Sequence, residues 1–207
     1  MSGKRNKRCY CGGSKWSRRP FDGASFLCVL LFWLGDIVAG YPADLVVAPG
    51  TIGPPKGVAI DPVARTLFIS DSANNRILRY DNIDTLQTGT PPSSVLGQPN
   101  FTSIGANQNT NPSAFTLSAP VGICIDSAGT LWVADGGNNR VLWYLNASQL
   151  SNGAPANGFL GQPSFTIATV RFGQFGMNIP QDVSVIAGVV WVADASNNRF
   201  VLSFLVI

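Results

Sequence analysis

Short apolar runs, each closed by polar turn residues, recur along the chain from residue 54 onward. Three of them open a hairpin and are rich in β-branched and aromatic residues: 66–70, 130–134 and 189–193. Their partners follow a short polar turn: 76–80, 140–144 and 199–204. Neighbouring side chains of a strand point to opposite faces, and here both sets are apolar, so each strand needs packing partners on both faces. The pattern predicts small antiparallel sheets packed face to face, without long helices.

The turns between the paired runs repeat one motif, Asp-x-x-Asn-Asn-Arg. Its three copies are spaced by 64 and then 59 residues. All four of its polar positions recur in every copy, and three of them are candidate structural residues: Asp71, Asn75 and Arg76; Asp135, Asn139 and Arg140; Asp194, Asn198 and Arg199. The flanking sequence recurs as well, because Leu-Gly-Gln-Pro-x-Phe follows the first two copies at 96–101 and 160–165. Such self-similarity indicates one supersecondary unit repeated along the chain, and small sheets stacked radially form a β-propeller.

These residues resemble the NHL repeat, a blade-forming unit of β-propellers. The resemblance is carried by Pro-x-Gly-Val-Ala-Ile-Asp at 55–61 and by Leu-Phe-Ile-Ser-Asp-x-x-Asn-Asn-Arg-Ile-Leu at 67–78. The third copy departs from the pattern with Asp182 in place of the Gly and Ile186 in place of the Asp. The resemblance implies a propeller, often with six blades, that binds partners on a loop-bearing face. It implies no single activity, because one fold hosts many functions.

We therefore predict an all-β, NHL-type β-propeller with three recognisable blades at about 54–118, 119–178 and 179–207. The connectors are expected to add one short strand each, at 93–96 and 158–160, and 44–47 is a further candidate edge strand. Propellers typically close with four to eight blades, so three blades leave an incomplete or open arc whose end blades favour self-association. Three interpretations stay open: a piece of a longer propeller, two copies that complete a ring, or a blade hidden in the connectors.

The repeated turn has a structural interpretation. The Asp carboxylate is expected to accept N–H groups from the residues that follow it, as in an Asx turn. The Asn pair, and Gly136-Gly137 in the second copy, are expected to adopt the left-handed conformation of a tight reversal. The Arg is expected to pair with a carboxylate and to cover an aromatic face. The alternative interpretation is a ring of carboxylates that binds a metal or a substrate.

The first 40 residues form a separate leader. Seven of the 14 Lys and Arg residues lie there, followed by an apolar run at 24–34 and the small residues Ala39 and Gly40. This order predicts a secretory signal peptide, with an uncleaved signal anchor or a buried core segment as alternatives. The protein is therefore expected to be secreted or to lie on the extracellular or lumenal side of a membrane. It would contact the membrane only through an uncleaved leader.

The charge of the chain after the leader argues against a nucleic-acid partner. From residue 41 onward seven basic residues face nine Asp residues, which gives a formal charge of −2. A nucleic-acid-binding domain carries a basic patch, so no nucleic-acid partner is expected.

In a secreted protein, two sequons offer N-glycosylation sites at Asn100 and Asn146. Cys124 stands at a strand position taken by Ala59 and Ser184 in the sister repeats, so it is expected to pack in the core.

The chain contains neither His nor Glu, which removes the commonest general base and the commonest nitrogen ligand for metals. No catalytic residue is predicted. Calcium is the one candidate cofactor, and Asp61 and Asp126 are its candidate ligands because calcium prefers oxygen ligands. We predict a binding or scaffold module for a protein, peptide or glycan on the loops at 86–113 and 149–173. Phe101, Phe159 and Phe165 are expected to anchor these loops. The alternative, implied by the resemblance, is a calcium-dependent lyase or lactonase.

Overall fold

A computed structural model describes residues 52–204 of the chain. The leader at 1–40 and the candidate strand at 44–47 lie outside the described residues. Residues 52–204 contain eleven β-strands, joined by loops and by six short 3-10 helices. Across this same range no helix is long and apolar enough to cross a membrane.

The strands form three antiparallel sheets, which we call blades 1, 2 and 3. Blade 1 contains β1 (Pro55–Asp61), β2 (Thr66–Asp71), β3 (Arg76–Tyr80) and β4 (Ser94–Leu96). Blade 2 contains β5 (Pro120–Ile125), β6 (Leu131–Asp135), β7 (Arg140–Tyr144) and β8 (Gly158–Leu160). Blade 3 contains β9 (Pro180–Ile186), β10 (Val189–Asp194) and β11 (Arg199–Phe204). The predicted all-β fold is confirmed, and β4 and β8 are the short strands expected in the connectors.

The three blades share one register. In each, neighbouring strands follow chain order across the sheet, and the Asp that ends the second strand lies opposite the Arg that begins the third. The three pairs are Asp71 and Arg76, Asp135 and Arg140, and Asp194 and Arg199. The repeated motif therefore marks the same corner of every blade.

The hydrophobic core lies between the blades. Phe68 of blade 1 and Val133 of blade 2 belong to one buried cluster, and Trp132 of blade 2 and Val183 of blade 3 belong to a second. A third buried cluster, which includes Leu67, lies on the opposite face of blade 1. Each fully buried side chain of this size contributes about 1.5–3 kcal/mol relative to exposure. Apolar residues on both faces of a strand are thus explained by blade stacking.

The first strands of successive blades approach closely because glycine lies at the contact. A Cβ atom on Gly57 would lie 2.6 Å from the Val121 carbonyl oxygen of blade 2. A Cβ atom on Gly122 would lie 2.7 Å from the Cα atom of Asp182 in blade 3. Asp182 occupies the equivalent position of blade 3, so the departure from the repeat falls on the residue that would face a following blade.

Candidate functional site

Each Asp-x-x-Asn-Asn-Arg turn folds as one turn of 3-10 helix followed by a single left-handed residue. The helices span Ser72–Asn74, Gly136–Asn138 and Ala195–Asn197. The residue that follows them has φ of 55° at Asn75, 54° at Asn139 and 52° at Asn198. The expectation that Gly136-Gly137 adopts the left-handed conformation is wrong, because neither Gly has positive φ and Asn139 makes the reversal. Asn tolerates this conformation better than most residues.

The Asp carboxylate holds three groups together. Asp135 accepts hydrogen bonds from Arg140 Nε (2.8 Å), Asn138 Nδ2 (2.8 Å) and the backbone N–H of Ser118 (2.7 Å). In the other blades the backbone donors are Gly53 and Asn178. The expected Asx turn is therefore wrong. The carboxylate binds the backbone just before the first strand of its own blade, which closes that strand onto the hairpin.

In blade 2, the Arg connects the hairpin to the loops on both sides of the blade. Arg140 donates to the carbonyl oxygens of Ser113 (3.0 Å) and Thr116 (2.9 Å) in the preceding loop. It also donates to the Phe165 carbonyl (2.6 Å) in the following loop. Arg76 donates to the Phe101 carbonyl in the same way. Within residues 52–204, the one loop to which Arg199 donates is the preceding loop, at the carbonyl groups of residues 172, 173 and 176. We call each Asp, Asn and Arg set with its bonded loops a hub, because it ties connector backbone to one corner of the blade.

The left-handed Asn bonds one blade to the next. Asn75 Oδ1 accepts the backbone N–H of Ala119, and Asn139 Oδ1 accepts that of Ile179, both at 2.8 Å. Each accepted N–H belongs to the residue just before the first strand of the following blade. The amide nitrogen of the same Asn donates to the following loop, at Ile104 O (2.9 Å) or Ala168 O (2.8 Å). This role was not predicted from the sequence, where the available signal was that the second Asn recurs in all three copies.

The Leu-Gly-Gln-Pro-x-Phe segment fixes the loop that leaves each hub. Gln98 Nε2 donates to the carbonyl oxygens of Asn75 (3.1 Å) and Gly105 (2.8 Å). Gln162 makes the matching bonds to Asn139 (2.8 Å) and Thr169 (2.9 Å). Phe159 and Phe165 pack edge to face with ring centroids 4.6 Å apart and lie against the core between blades 1 and 2. Phe101, in contrast, is exposed.

Burial dominates the electrostatics of the hubs. The pKa of Asp135 is raised because the buried carboxylate loses its hydration, although the Arg140 guanidinium opposes this shift. Burial, together with the nearby Asp71 carboxylate, raises the pKa of Tyr80 to about 12. The Tyr80 hydroxyl has no hydrogen-bond partner among residues 52–204.

The two candidate calcium ligands lie in different hairpins, where other groups occupy their oxygens. Asp61 Oδ1 accepts the N–H groups of Val63 and Ala64, both at 2.9 Å, and Oδ2 accepts the Ser148 hydroxyl at 2.9 Å. Asp126 Oδ1 caps its own turn in the same manner, and Oδ2 accepts the Trp132 indole N–H at 3.0 Å. Within the described range, acidic and Cys residues form no group of three that could hold a metal ion.

The loop at 97–119, which joins blades 1 and 2, contains a surface cavity of about 390 Å³. The residues that line it are uncharged: Gln98, Pro99, Ser103, Ile104, Gly105, Gln108 and Asn109. Three successive residues of this loop have a left-handed backbone: Asn107, Gln108 and Asn109, with φ of 50°, 56° and 59°. In the corresponding loop at 161–179, Ile179 is the only non-glycine residue with positive φ. Gln98 is fully buried, and its Oε1 has no partner among the described residues.

Both sequons are exposed at the Asn but differ in geometry. Asn100 Oδ1 accepts the N–H and hydroxyl groups of Thr102 and Ser103, which leaves the Asn100 amide nitrogen outward. Asn146 has φ of 49°, and the Ser148 hydroxyl of its sequon donates to Asp61.

Cys124 is half-buried and packs against the cluster between blades 2 and 3.

Comparison with known proteins agrees with the repeat seen in the sequence. Residues 117–144 match the NHL repeat family. The chain has no match among curated protein sequences. This matched segment begins at the loop residue before Ser118 and ends with β7, so it contains Asp135, Asn139 and Arg140 of the blade 2 hub and the Ser118 N–H that Asp135 binds.

Several solved structures are similar to this chain at low sequence identity. A luciferin-regenerating enzyme is 18% identical, with 72% of this chain and 39% of that chain covered and a TM-score of 0.46. A streptogramin B lyase is 14% identical, with 74% of this chain and 41% of that chain covered and a TM-score of 0.42. Virginiamycin B lyase from Staphylococcus aureus is 13% identical, with 74% of this chain and 42% of that chain covered and a TM-score of 0.37. This chain thus spans about two fifths of the length of each. Residues 117–144 are therefore similar to an NHL repeat, and residues 52–204 form three antiparallel blades stacked as in a β-propeller.

Proposed function

We propose that the chain is a secreted or surface-tethered propeller segment that acts as a binding module, and that the loop at 97–119 holds a neutral, hydroxyl-rich glycan. The observation that carries this proposal is the uncharged surface cavity, whose lining combines the amide and hydroxyl groups of Ser103, Gln108 and Asn109 with the apolar Pro99 and Ile104. The cavity volume lies within the usual range for small-ligand sites.

The lining chemistry favours a sugar over a charged ligand. Amide and hydroxyl groups of Ser103, Gln108 and Asn109 provide donors and acceptors, while Pro99 and Ile104 provide apolar surface. A charged ligand would find no counter-charge among these residues. Sugars present hydroxyl groups and an apolar ring face together, so they match both parts of the lining.

The backbone of this loop is strained where the repeat does not require it. The three successive left-handed residues 107–109 are not glycine, and left-handed non-glycine residues carry a conformational cost. The Asn107 side chain is held by a reciprocal amide pair with Asn138 of the next hub, at 2.9 and 2.8 Å. Backbone strain persists where the surroundings impose it, and it clusters at binding sites.

Secretion is supported by the leader, whose basic, apolar and small residues follow the order of a signal peptide. A protein or peptide partner on the same loop is the competing form of the binding function. The lining residues offer such a partner no charged group to bind, so we propose a glycan as the ligand.

A glycan array probed with the full chain from a bacterial host, which leaves Asn100 unmodified, tests the proposal. We expect neutral glycans to bind, and Asn109→Ala and Ile104→Ala to weaken binding by about tenfold. Ser164→Ala, in the loop between blades 2 and 3, is the matched control and should bind as the wild type does. No neutral glycan above background, or binding that both cavity variants leave unchanged, would contradict the proposal.

A further inference from the structure

One of the two sequons lies in the same loop as the surface cavity. Its residues Asn100, Phe101 and Thr102 are all exposed, and they lie between Pro99 and Ser103, which both line the cavity. N-linked glycans attach to the Asn of such tripeptides on the surface of secreted proteins. The chain therefore presents a modification site at the rim of the cavity that we propose as its binding site.

The Asn100 side chain is oriented for modification. Its Oδ1 atom accepts the backbone N–H of Ser103 at 2.8 Å and the Ser103 hydroxyl at 3.0 Å, and it accepts two more hydrogen bonds from Thr102. The Asn100 amide nitrogen, to which a sugar would be attached, makes no hydrogen bond to residues 52–204. A sugar on this nitrogen would therefore displace no hydrogen bond of the loop, and it would start beside Ser103 of the cavity.

The second sequon lies at the opposite end of the blades. Asn146 follows the end of β7 that is remote from the hub, whereas the loop at 97–119 begins at the hub end of β4. Ala147 of this sequon is 0% exposed and packs in the core between blades 1 and 2. Asn146 therefore serves as the matched control for any effect of a glycan on the cavity.

The cavity has the size and the chemistry to hold the first sugars of a glycan on Asn100. Its volume of about 390 Å³ lies within the range of small-ligand sites. Its lining is uncharged, and the first sugars of N-linked glycans are uncharged as well. A ligand tethered by a short linker also reaches a roughly millimolar effective concentration at its site, so it competes well against a free ligand.

We propose that Asn100 carries an N-linked glycan whose first sugars lie in the cavity, so that the chain's own glycan excludes a free one. In the modification, Asn100 Nδ2 forms a bond to the anomeric carbon of a sugar and loses one proton. The bond between that carbon and the diphosphate of a lipid-linked sugar donor breaks, and the diphosphate leaves. This inference rests on the proposed function, because it needs both secretion and a sugar-binding cavity.

Mass spectrometry of the full chain secreted by a eukaryotic host tests the modification. We expect a glycan on Asn100 in the wild type and none at residue 100 in Asn100→Asp, whose carboxylate still accepts the bonds that hold the turn. Asn146→Asp removes the other sequon and should keep the Asn100 glycan. A secreted chain with Asn100 unmodified would overturn the inference alone. A chain that is not secreted would overturn it together with the proposed secretion.

Binding of neutral glycans tests whether the Asn100 glycan covers the cavity. The glycosylated wild type should bind these glycans about tenfold more weakly than the unmodified chain from a bacterial host. Asn100→Asp from the secretory host should recover the affinity of the unmodified chain, whereas Asn146→Asp should remain weak. Equal binding by the glycosylated wild type and by Asn100→Asp would overturn the inference and leave the proposed binding function intact.

Enzymatic release of the glycan from the folded chain provides a readout that needs no free ligand. An amidase that cleaves N-linked glycans should act slowly on Asn100, because the first sugars are held in the cavity. Ile104→Ala and Asn109→Ala should each accelerate this release by about tenfold, and Ser164→Ala should not change it. The same release rate in all four proteins would overturn the inference, even where the unmodified chain binds sugars.

Discussion

Arg140 Nε lies 2.8 Å from Asp135 Oδ2, and both side chains are completely shielded from solvent. An ion pair in this environment loses much of its hydration, and its net contribution depends on how completely the remaining donors and acceptors are satisfied. Here Arg140 also binds three loop carbonyl groups, and Asp135 also binds Asn138 and a backbone N–H. The pair therefore organises the loops on both sides of blade 2 at the cost of desolvation.

Breaking this pair at one partner should destabilise the protein strongly. Asp135→Asn leaves the Arg140 charge buried without its counter-ion, so we expect a loss of roughly 3–5 kcal/mol in the free energy of unfolding, measured by urea denaturation. Asp194→Asn should cost less, because Arg199 is 29% exposed and water can solvate it. Arg65→Gln, in an exposed pair with Asp84, is the control and should leave the midpoint unchanged. Equal losses at Asp135 and Asp194 would contradict the importance of burial.

The left-handed Asn residues separate a conformational role from a bonding role. Asn139→Gly keeps the backbone conformation but removes the bonds to Ile179 and Ala168, so we expect a loss of about 1–2 kcal/mol. Asn198→Gly removes no hydrogen bond to the described residues and should be close to neutral. Urea denaturation measures both. A neutral Asn139→Gly variant would refute the inter-blade bond as a stabilising contact.

Stability should fall at high pH because of Tyr80. The folded state keeps the phenol proton up to a pKa of about 12, whereas the ordinary value is 10.0. Between these values the unfolded chain binds fewer protons than the folded chain, so the free energy of unfolding decreases as pH rises. Tyr80→Phe should abolish this part of the decrease, up to about 3 kcal/mol. It should be neutral or stabilising at pH 7, because the hydroxyl has no hydrogen-bond partner among the residues that the structure describes. Denaturation curves of both proteins across this pH range provide the measurement. Parallel curves would show that Tyr80 does not titrate in this way.

Calcium should not stabilise the protein through Asp61 or Asp126. Their carboxylate oxygens already accept bonds from backbone N–H groups, Ser148 and Trp132. A calcium ion would need six to eight oxygen ligands and would have to displace these donors. We expect the same melting temperature with calcium and with a chelator. A rise with calcium that Asp126→Asn removes would instead support a metal site and the lyase or lactonase alternative.

Local sequence patterns were sufficient to predict the strands. The β-branched runs around Phe68, Trp132 and Trp191 became β2, β6 and β10, and their repetition located the hairpin partners. The short strands β4 and β8 were also predicted, because the connectors repeat as well. Patterns of this kind involve only a few neighbouring residues, so strands can be predicted from them without knowledge of tertiary contacts.

Contacts between blades were not predictable in the same way. The roles of Asn75 and Asn139 depend on backbone groups 44 and 40 residues away. The Asp135 partner Ser118 precedes it by 17 residues, which is why a local Asx turn was the wrong expectation. The left-handed run at Asn107–Asn109 has no counterpart in the sister loop, so the repeat gave no signal for it or for the cavity beside it.

The most direct test of the account is amide hydrogen exchange, resolved by NMR, at Ser118 and Ala119. Ser118 N–H binds Asp135 of its own blade, whereas Ala119 N–H binds Asn75 of the preceding blade. We predict that both are protected in the wild type, and that Asn75→Gly accelerates exchange at Ala119 while Ser118 stays protected. Rapid exchange at Ala119 in the wild type, or no change there in Asn75→Gly, would contradict the claim that these Asn residues tie successive blades together.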